Sequence, residues 1–171
     1  MADTYADLAS PDRLASIATH DLFDPDLRRQ LDAVAAATAQ QVDWPVAAVT
    51  VVLDYAQLLA GEYGLSAQSP ADLATPVEWS FCARVVLSRD TYAVADAAAD
   101  PELAAHPAFR VLGIRSYVGV PLVTADGTVV GAHCVADTKA RTLPAADLDV
   151  LHEGGRQAVR LLEEYRRIPR L

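Results

Sequence analysis

Cys82 and Cys134 are the two cysteines of this 171-residue chain and the first candidates for chemistry. A pair of thiols can form a disulfide or reduce a substrate, although two distant cysteines in a reducing compartment are more often inert core residues. A disulfide between them would stabilise the fold by about 4 kcal/mol in the chain-entropy model, provided that the two sulfurs meet. The spacing leaves three alternatives open: inert buried thiols, a disulfide and a redox site.

His133 lies in the apolar run VVGAHCVAD, where a titratable group is unexpected. In a strand, the period of two places it on the same face as Gly131 and Val135. It is either a buried histidine that satisfies its ring nitrogens locally or a contact to a ligand. As a haem or metal ligand it has no partner at a recognisable spacing, and the chain has no CxxC, HExxH or phosphate-loop pattern. The sequence therefore assigns no metal and no cofactor.

Charged residues stand where predicted strands begin or end. Asp96 follows a strand, and Arg115 enters the next long one beside Tyr117. An arginine in that place can hold an anionic ligand through two hydrogen bonds, and a carboxylate can serve in acid–base chemistry. The commoner roles are an exposed arginine and an aspartate that accepts backbone N–H groups in a turn. Asp137 and Arg141 form the pattern of a pair that fixes a loop.

The elements that must position these residues begin with a predicted hairpin. Ser116–Val123 and Thr128–Ala136 are rich in β-branched and small apolar residues, and Asp-Gly lies between them. Neither run has a polar residue at every second position, so both faces are expected to be covered. Gly119 and Gly131 interrupt the runs, as glycines do where a ligand or another backbone comes close. The hairpin is predicted to be one wall of a binding pocket.

Two amphipathic helices are predicted near the ends of the chain. Asp24-Pro25 is a helix start, and the apolar stripe that follows predicts a helix to about Gln41, before Trp44-Pro45. Pro144 opens the second helix, whose apolar and small residues alternate by three and four, the spacing of a coiled coil. Those residues are Leu148, Leu151, Gly155, Ala158, Leu162 and Tyr165.

Between the two helices the sequence predicts about five short strands, which gives an α+β fold. Besides the hairpin, the strands are Val46–Leu53, Gln57–Tyr63 and Thr91–Ala95. The segment from about residue 66 to 112 is interpreted as an irregular excursion. It consists of a loop with a helical turn at Ser66–Val77, a strand-to-helix turn at Glu78–Val86, and short helical turns at Asp100-Pro101 and Pro107–Leu112. Long loops are usually functional. This segment is expected to roof the sheet face opposite the helices.

Composition limits the classes of function. Apolar residues make up 52% of the chain and charged residues 22%, typical of one globular domain. The net charge of −9 makes a nucleic acid an unfavourable partner. No apolar run approaches the length of a membrane span, and the first residues lack the features of a signal peptide, so we expect a cytoplasmic protein. We expect a flexible N-terminus over residues 1–11, one domain over 12–167 and a tail over 168–171.

Three segments together resemble the GAF domain of bacterial signalling proteins: SFCARVV, YAVADAAADPELAAHPAF and GIRSYVGVPLVTADGTVVGAHCVADTKAR. The resemblance spans residues 12 to 165. It implies a six-stranded antiparallel sheet, with helices from both termini on one face and a small-molecule pocket on the other. It also implies dimerisation through the terminal helices and a signalling-protein partner. The family usually has an aliphatic residue where this chain has His133. The signatures of its cyclic-nucleotide-binding and bilin-bearing members are absent, so neither ligand is inferred.

The candidate residues are expected to lie in or beside the predicted pocket. The candidate ligand-binding residues are Trp79, Phe81, Cys82, Asp96, Phe109, Arg115, Tyr117, Gly119, Gly131 and His133.

The preferred function is a non-catalytic sensor domain that binds an unidentified small molecule. One alternative is a cysteine-dependent reductase, because one GAF-related group reduces free methionine sulfoxide. Its cysteines lie in other segments, including the one that corresponds to Val94–Phe109, where this chain has none. The other alternative is a protein–protein interaction module with a collapsed pocket.

Overall fold

A six-stranded sheet lies at the centre of the computed structural model, which describes residues 5–65 and 74–167. Its strands are β1 (Val46–Val52), β2 (Ala56–Tyr63), β3 (Ala74–Pro76), β4 (Tyr92–Val94), β5 (Ser116–Val123) and β6 (Val129–Asp137). They lie in the order β3-β2-β1-β6-β5-β4, and every neighbouring pair is antiparallel. The helices are α1 (Pro11–Ala18), α2 (Pro25–Val42), α3 (Cys82–Ser88), α4 (Pro107–Arg110) and α5 (Ala145–Glu164). The predicted α+β class and six-stranded sheet are confirmed.

Helix α2 begins as the sequence predicts. The Asp24 carboxylate accepts hydrogen bonds from the backbone N–H groups of Asp26 and Leu27, which satisfies two of the donors that a helix start leaves free. The helix ends at Val42, and Asp43 follows in the left-handed region with a φ of 57°. The apolar stripe of α2 is buried against the sheet.

Helix α5 lies beside α2 on the same face of the sheet. Leu151 packs among Val118 and Val120 of β5, whereas Leu162 packs in the cluster that contains Leu27 and Val49. The coiled-coil spacing of α5 therefore serves packing within the chain. The two helices leave the opposite face of the sheet to the segments around α3.

The hairpin of β5 and β6 is confirmed. Gly127 adopts a φ of 84°, which favours glycine, and its N–H donates to the Thr124 carbonyl. In the β5–β6 register, Gly119 pairs with Cys134 and Val120 pairs with His133. Since neighbouring side chains of a strand point to opposite faces, Cys134 and His133 lie on opposite sides of the sheet.

The excursion contains an edge strand that the sequence did not predict. Residues 74–76 of the predicted Ser66–Val77 loop form β3 at the edge of the sheet, and residues 66–73 lie outside the described residues. Glu78–Val86 contains no strand: a 3-10 turn at Val77–Trp79 leads into α3. A three-residue edge strand that contains a proline lacks the alternation by which a strand is recognised.

Residues 5–11 are the described part of the segment that the sequence predicts to be a flexible N-terminus. Ala6–Ala9 forms a 3-10 turn that buries Leu8 completely in the core. The Arg13 guanidinium donates to the carbonyl oxygens of Leu8 and Val129 at 3.1 and 3.0 Å. Residues 1–4 and 168–171 lie outside the described residues.

None of the helices within the described ranges combines the length and the hydropathy that crossing a membrane requires.

Candidate functional site

A cavity of about 570 Å³ lies on the sheet face opposite α2 and α5. Its floor consists of alternate residues of three strands: Ala48 and Thr50 of β1, Cys134 and Ala136 of β6, and Tyr117 of β5. The intervening residues of the same strands pack under the helices. Because neighbouring side chains of each strand point to opposite faces, the cavity and the core under the helices lie on opposite sides of the sheet.

The described wall of the cavity contains polar groups but no charged side chain. The Ser80 hydroxyl donates to the Gln57 side-chain oxygen, and the Thr50 hydroxyl donates to the Ala132 carbonyl at 3.2 Å. The Thr75 hydroxyl is buried and has no hydrogen-bond partner among the described residues. The cavity can therefore offer a few neutral hydrogen bonds within a mainly apolar surface.

The two cysteines meet in the floor of the cavity. The Cys82 and Cys134 sulfurs are 3.8 Å apart, and the Tyr117 hydroxyl donates to the Cys82 sulfur at 3.0 Å. Both thiols are free and buried. The sequence alone does not show whether the two sulfurs meet. In the structure they are in contact but form no disulfide bond.

Hydrogen bonding separates the pKa values of the two thiols. Burial acts to raise the pKa of Cys82, but its hydrogen bonds with neighbouring groups, Cys134 and Tyr117 among them, outweigh burial and lower that pKa. The pKa of Cys134 is raised well above its ordinary value, because it hydrogen-bonds to Cys82 and is itself buried. Burial also raises the pKa of Tyr117, so its hydroxyl stays a donor. Cys82 is thus the thiol of the pair that ionises first.

Aromatic side chains form a second wall. Phe81 stacks on His106 with ring centroids 4.7 Å apart and lies 5.4 Å from the Tyr117 ring centroid. The His106 Nδ1 accepts the Ala108 N–H at 3.0 Å, which caps α4 and fixes the ring. Packing between the excursion and the sheet therefore holds Phe81 and Tyr117 in place.

Four of the ten candidate site residues line the cavity: Trp79, Phe81, Cys82 and Tyr117. Phe109 packs against the core cluster behind the cavity and does not line it. That these four residues bind a ligand stays a prediction.

Gly119 and Gly131 have a structural role. A side chain at Gly119 would collide with the Tyr117 ring, which lies across this glycine, and one at Gly131 would collide with the Thr50 carbonyl of β1. The close approach predicted at these positions is made by the protein itself. Neither glycine lines the cavity.

His133 lies on the helix side of the sheet, away from the cavity, and is completely buried. Its Nδ1 donates to the Ala48 carbonyl at 2.9 Å, and the Thr38 hydroxyl of α2 therefore donates to Nε2 at 2.9 Å. Burial lowers the pKa of His133 to about 4. The interpretation of His133 as a locally satisfied buried histidine fits this geometry, and its place in the candidate pocket is revised because β6 turns Cys134, not His133, toward the cavity.

Asp96 and Arg115 form a surface pair outside the cavity. The Arg115 guanidinium donates to both Asp96 carboxylate oxygens, at 2.7 and 3.0 Å, and lowers the pKa of Asp96. The Asp96 carboxylate also accepts the Ala98 N–H. These contacts fix the strand ends, so the arginine is already occupied by a carboxylate of the chain. The predicted Asp137–Arg141 pair is present, with 3.2 Å between its atoms.

Several cavity residues were missed from the sequence. They are Thr50, Gln57, Thr75, Ser80 and Ile114. A signal existed for Thr50, because it is the one polar residue of the run VAAVTVVL and shares the face of Ala48 by alternation. The others come from segments without a period.

The chain is thus an α+β domain, with an antiparallel sheet that carries helices from both ends of the chain on one face and a cavity on the other. The model of the family described as "GAF domain" matches residues 24–163. The chain belongs to the GAF domain family, whose members include sensor domains of signalling proteins.

A curated relative adds a signalling context. The chain is 34% identical over 120 residues to a cyclic di-GMP phosphodiesterase of Pseudomonas aeruginosa, a match that covers 68% of this chain and 19% of that protein. The chain thus spans about a fifth of the curated relative that it matches.

Solved structures share the fold. A type II free methionine-R-sulfoxide reductase from Thermoplasma acidophilum superposes with a TM-score of 0.64 at 17% identity, covering 83% of this chain and 96% of that chain. The GAF domain of an Acinetobacter phosphoenolpyruvate-protein phosphotransferase gives 0.63 at 16% identity, covering 90% and 92%. At these identities the likeness extends to the fold alone.

Proposed function

We propose that this domain is a non-catalytic sensor module that binds a neutral, mainly apolar small molecule in the cavity beside Tyr117. The observation that supports the proposal is a cavity of about 570 Å³ whose described wall has no charged side chain. Burying a charge without an opposite charge costs several kcal/mol or more. Such a wall disfavours a phosphorylated ligand and a zwitterionic amino acid, and it suits a neutral ring or chain with one or two hydrogen-bonding groups.

The sheet offers a short route from the cavity to the helices. The side chain of Ala48 faces the cavity, while its carbonyl accepts the N–H of His133, whose other ring nitrogen contacts Thr38 of α2. A ligand that binds one arrangement of the 66–112 segment and of the strands better than another shifts the population toward it. We infer that α2 and α5 carry this change to a signalling partner.

A ligand search tests the proposal directly. The full chain is purified without denaturant, and native mass spectrometry measures any added mass that is lost on unfolding. Ala48→Leu places a larger side chain in the cavity, and Ala33→Leu is the matched control on the exposed surface of α2. We expect a neutral compound on the wild type and on Ala33→Leu but not on Ala48→Leu. A retained anion or zwitterion, or equal retention by both variants, contradicts the proposal.

Dimerisation through the terminal helices is part of the same proposal. The apolar stripe of α5 is used inside the chain, so the dimer has to use the outer surface of α5, where Glu153 pairs with Arg156 at 2.9 Å. Light scattering across a dilution series measures the mass. We expect Arg156→Glu to weaken a dimer through like-charge repulsion, and a monomeric wild type at all concentrations contradicts the dimer.

The phosphodiesterase relative suggests an output for such a sensor. Our proposal is that this domain regulates cyclic di-GMP hydrolysis carried out by another domain or protein. The matching segment of the P. aeruginosa enzyme is replaced by this chain, and hydrolysis is measured with and without the compound found above. A hydrolysis rate that changes when the compound is added supports the regulatory role, and a hydrolysis rate that is the same with and without it contradicts that role.

A cysteine-dependent reductase of free methionine sulfoxide is the second candidate, favoured by the 3.8 Å approach of the two sulfurs. The described wall, which has no charged side chain, counts against it, because the free amino acid carries both a carboxylate and an ammonium group. A turnover assay with dithiothreitol compares the wild type with Cys82→Ser. Turnover by the wild type that disappears in the variant would show a reductase and contradict the non-catalytic proposal. No turnover by the wild type would contradict the reductase function.

A further inference from the structure

A tyrosine hydroxyl and two thiols converge where the cavity floor meets α3. The Cys82 sulfur has the Cys134 sulfur at 3.8 Å and the Tyr117 hydroxyl at 3.0 Å. All three residues line the cavity. The described rim includes Leu65 and Leu112, which are 41% and 42% exposed, so the cavity borders solvent. A small molecule in the cavity can therefore reach thiols that the rest of the fold covers.

The geometry is suited to making and breaking a disulfide. A disulfide bond is about 2.05 Å long, so bond formation requires the two sulfurs to approach by about 2 Å. Cys82 begins α3 and Cys134 lies within β6, which places the two thiols on separate elements in contact. A bond between them would tie the excursion to the middle of the sheet.

We propose that Cys82 and Cys134 form a reversible redox site, at which a neutral organic hydroperoxide that enters the cavity oxidises the pair to a disulfide. This inference goes beyond ligand sensing, because it requires the cavity but no resident ligand. The lack of a charged side chain in the described part of the wall favours this class of oxidant, since an alkyl or aryl hydroperoxide brings no charge that needs a partner.

The reaction balances in two steps. The Cys82 sulfur attacks the terminal peroxide oxygen, the O–O bond breaks, and the proton of the thiol goes to the leaving alkoxide, which gives a sulfenic acid and an alcohol. The Cys134 sulfur then attacks the Cys82 sulfur, the S–O bond breaks, and water leaves with the Cys134 proton. The two thiols lose two electrons and the hydroperoxide gains them. A small dithiol such as dithiothreitol restores the pair.

The surroundings assign the roles of the two thiols. Tyr117 and Cys134 both hydrogen-bond to Cys82, which favours the Cys82 thiolate, the nucleophilic form. Cys134 holds its proton more tightly and is the resolving thiol. Tyr117 acts as a positioning residue that stabilises the thiolate.

Mass spectrometry of the full wild-type chain after cumene hydroperoxide provides the test, with a digest under non-reducing conditions. We expect a mass lower by two hydrogens, a Cys82–Cys134 linked peptide, and return of the original mass with dithiothreitol. Thiols that stay reduced, links only between molecules, or oxidation to sulfinic acid without a link would each overturn the proposal. No variant is needed for this result.

Three variants separate the roles. In Cys134→Ser we expect a sulfenic acid at Cys82 that dimedone traps, whereas in Cys82→Ser we expect oxidation to be slower by at least about tenfold. Tyr117→Phe should slow Cys82 oxidation by roughly fivefold at pH 7, the effect on the thiolate fraction of raising a pKa of about 7 by about one unit, and the difference should vanish at high pH. Equal rates for all variants contradict the assigned roles.

The outcome is distinguishable from that of the ligand-binding proposal. A chain that retains no compound but forms the disulfide removes the sensor ligand and keeps the redox site. A chain that retains a neutral compound and leaves both thiols reduced supports the sensor ligand and contradicts the redox site.

Discussion

His133 and Thr38 join the sheet to α2 through a contact of 2.9 Å between Nε2 and Oγ1 in the interior of the domain. The Nδ1–H group donates a hydrogen bond to the Ala48 carbonyl, and burial lowers the pKa of the ring to about 4, so the ring is neutral with its proton on Nδ1. A polar residue in an apolar strand thus satisfies both ring nitrogens within the core, which is what its burial requires.

The His133 ring should make stability depend on pH. Burial lowers its pKa from 6.5 to about 4 in the folded state, so between those values the unfolded chain binds a proton that the folded chain does not. The contribution of His133 to the free energy of unfolding should be at its full value above pH 6.5. It should fall by up to about 3 kcal/mol as the pH drops toward 4. Urea unfolding at several pH values measures it. His133→Leu should have a shallower slope, since His106, whose pKa burial also lowers, remains in the variant. An unchanged slope in the variant contradicts the assignment.

Adjacent glycines of α5 should respond oppositely to alanine. A Cβ on Gly154 would lie 2.6 Å from His133 Nε2 and 2.7 Å from Thr38 Oγ1, whereas one on Gly155 would meet Val120 at an ordinary 3.5 Å. We expect Gly154→Ala to lower the free energy of unfolding by about 1–3 kcal/mol through overpacking. Gly155→Ala should raise it by up to about 1 kcal/mol through helix propensity. Urea unfolding of both variants is the measurement, and equal effects would refute the difference in packing.

The cap of α2 can be tested at one residue. Asp24→Ala removes the acceptor of two backbone N–H groups and should cost about 1 kcal/mol of unfolding free energy. Asp24→Asn keeps a side-chain oxygen and serves as the control with little change. Thermal and urea unfolding compare the three proteins, and an equal loss in both variants would indicate that the charge rather than the cap matters.

Gly119 is expected to act on Cys82 from a distance along β5. A side chain at Gly119 displaces the Tyr117 ring, and the Tyr117 hydroxyl is one of the donors that lower the pKa of Cys82. Gly119→Ala should therefore raise the Cys82 pKa, as Tyr117→Phe should without disturbing the backbone. The pH dependence of alkylation by iodoacetamide reports that pKa in a Cys134→Ser background. A pKa equal to that of the background protein excludes the role of the ring position.

The sequence predicted the frame of the fold better than the contents of the site. The Asp24-Pro25 start and the Asp-Gly hairpin were located because each depends on a few neighbouring residues. The three residues of β3 carry no pattern of their own, since pairing with β2 alone makes them a strand.

The site residues were harder to predict from the sequence, because they depend on which face of each strand points toward the cavity. Trp79, Phe81, Cys82 and Tyr117 were found as a cluster of aromatics and a thiol next to a predicted pocket wall. His133 was assigned to the pocket because the register that pairs it with Val120 cannot be deduced from either strand alone. The meeting of Cys82 with Cys134 likewise depends on how α3 packs on the sheet.

Neighbouring positions of β6 face two different environments. Cys134 borders the cavity and His133 packs under the helices, so a single peptide bond separates the two. Inserting or deleting one residue in β6 would exchange the two environments along the rest of the strand, because neighbouring side chains point to opposite faces. We therefore expect this segment to tolerate a changed side chain better than a changed length.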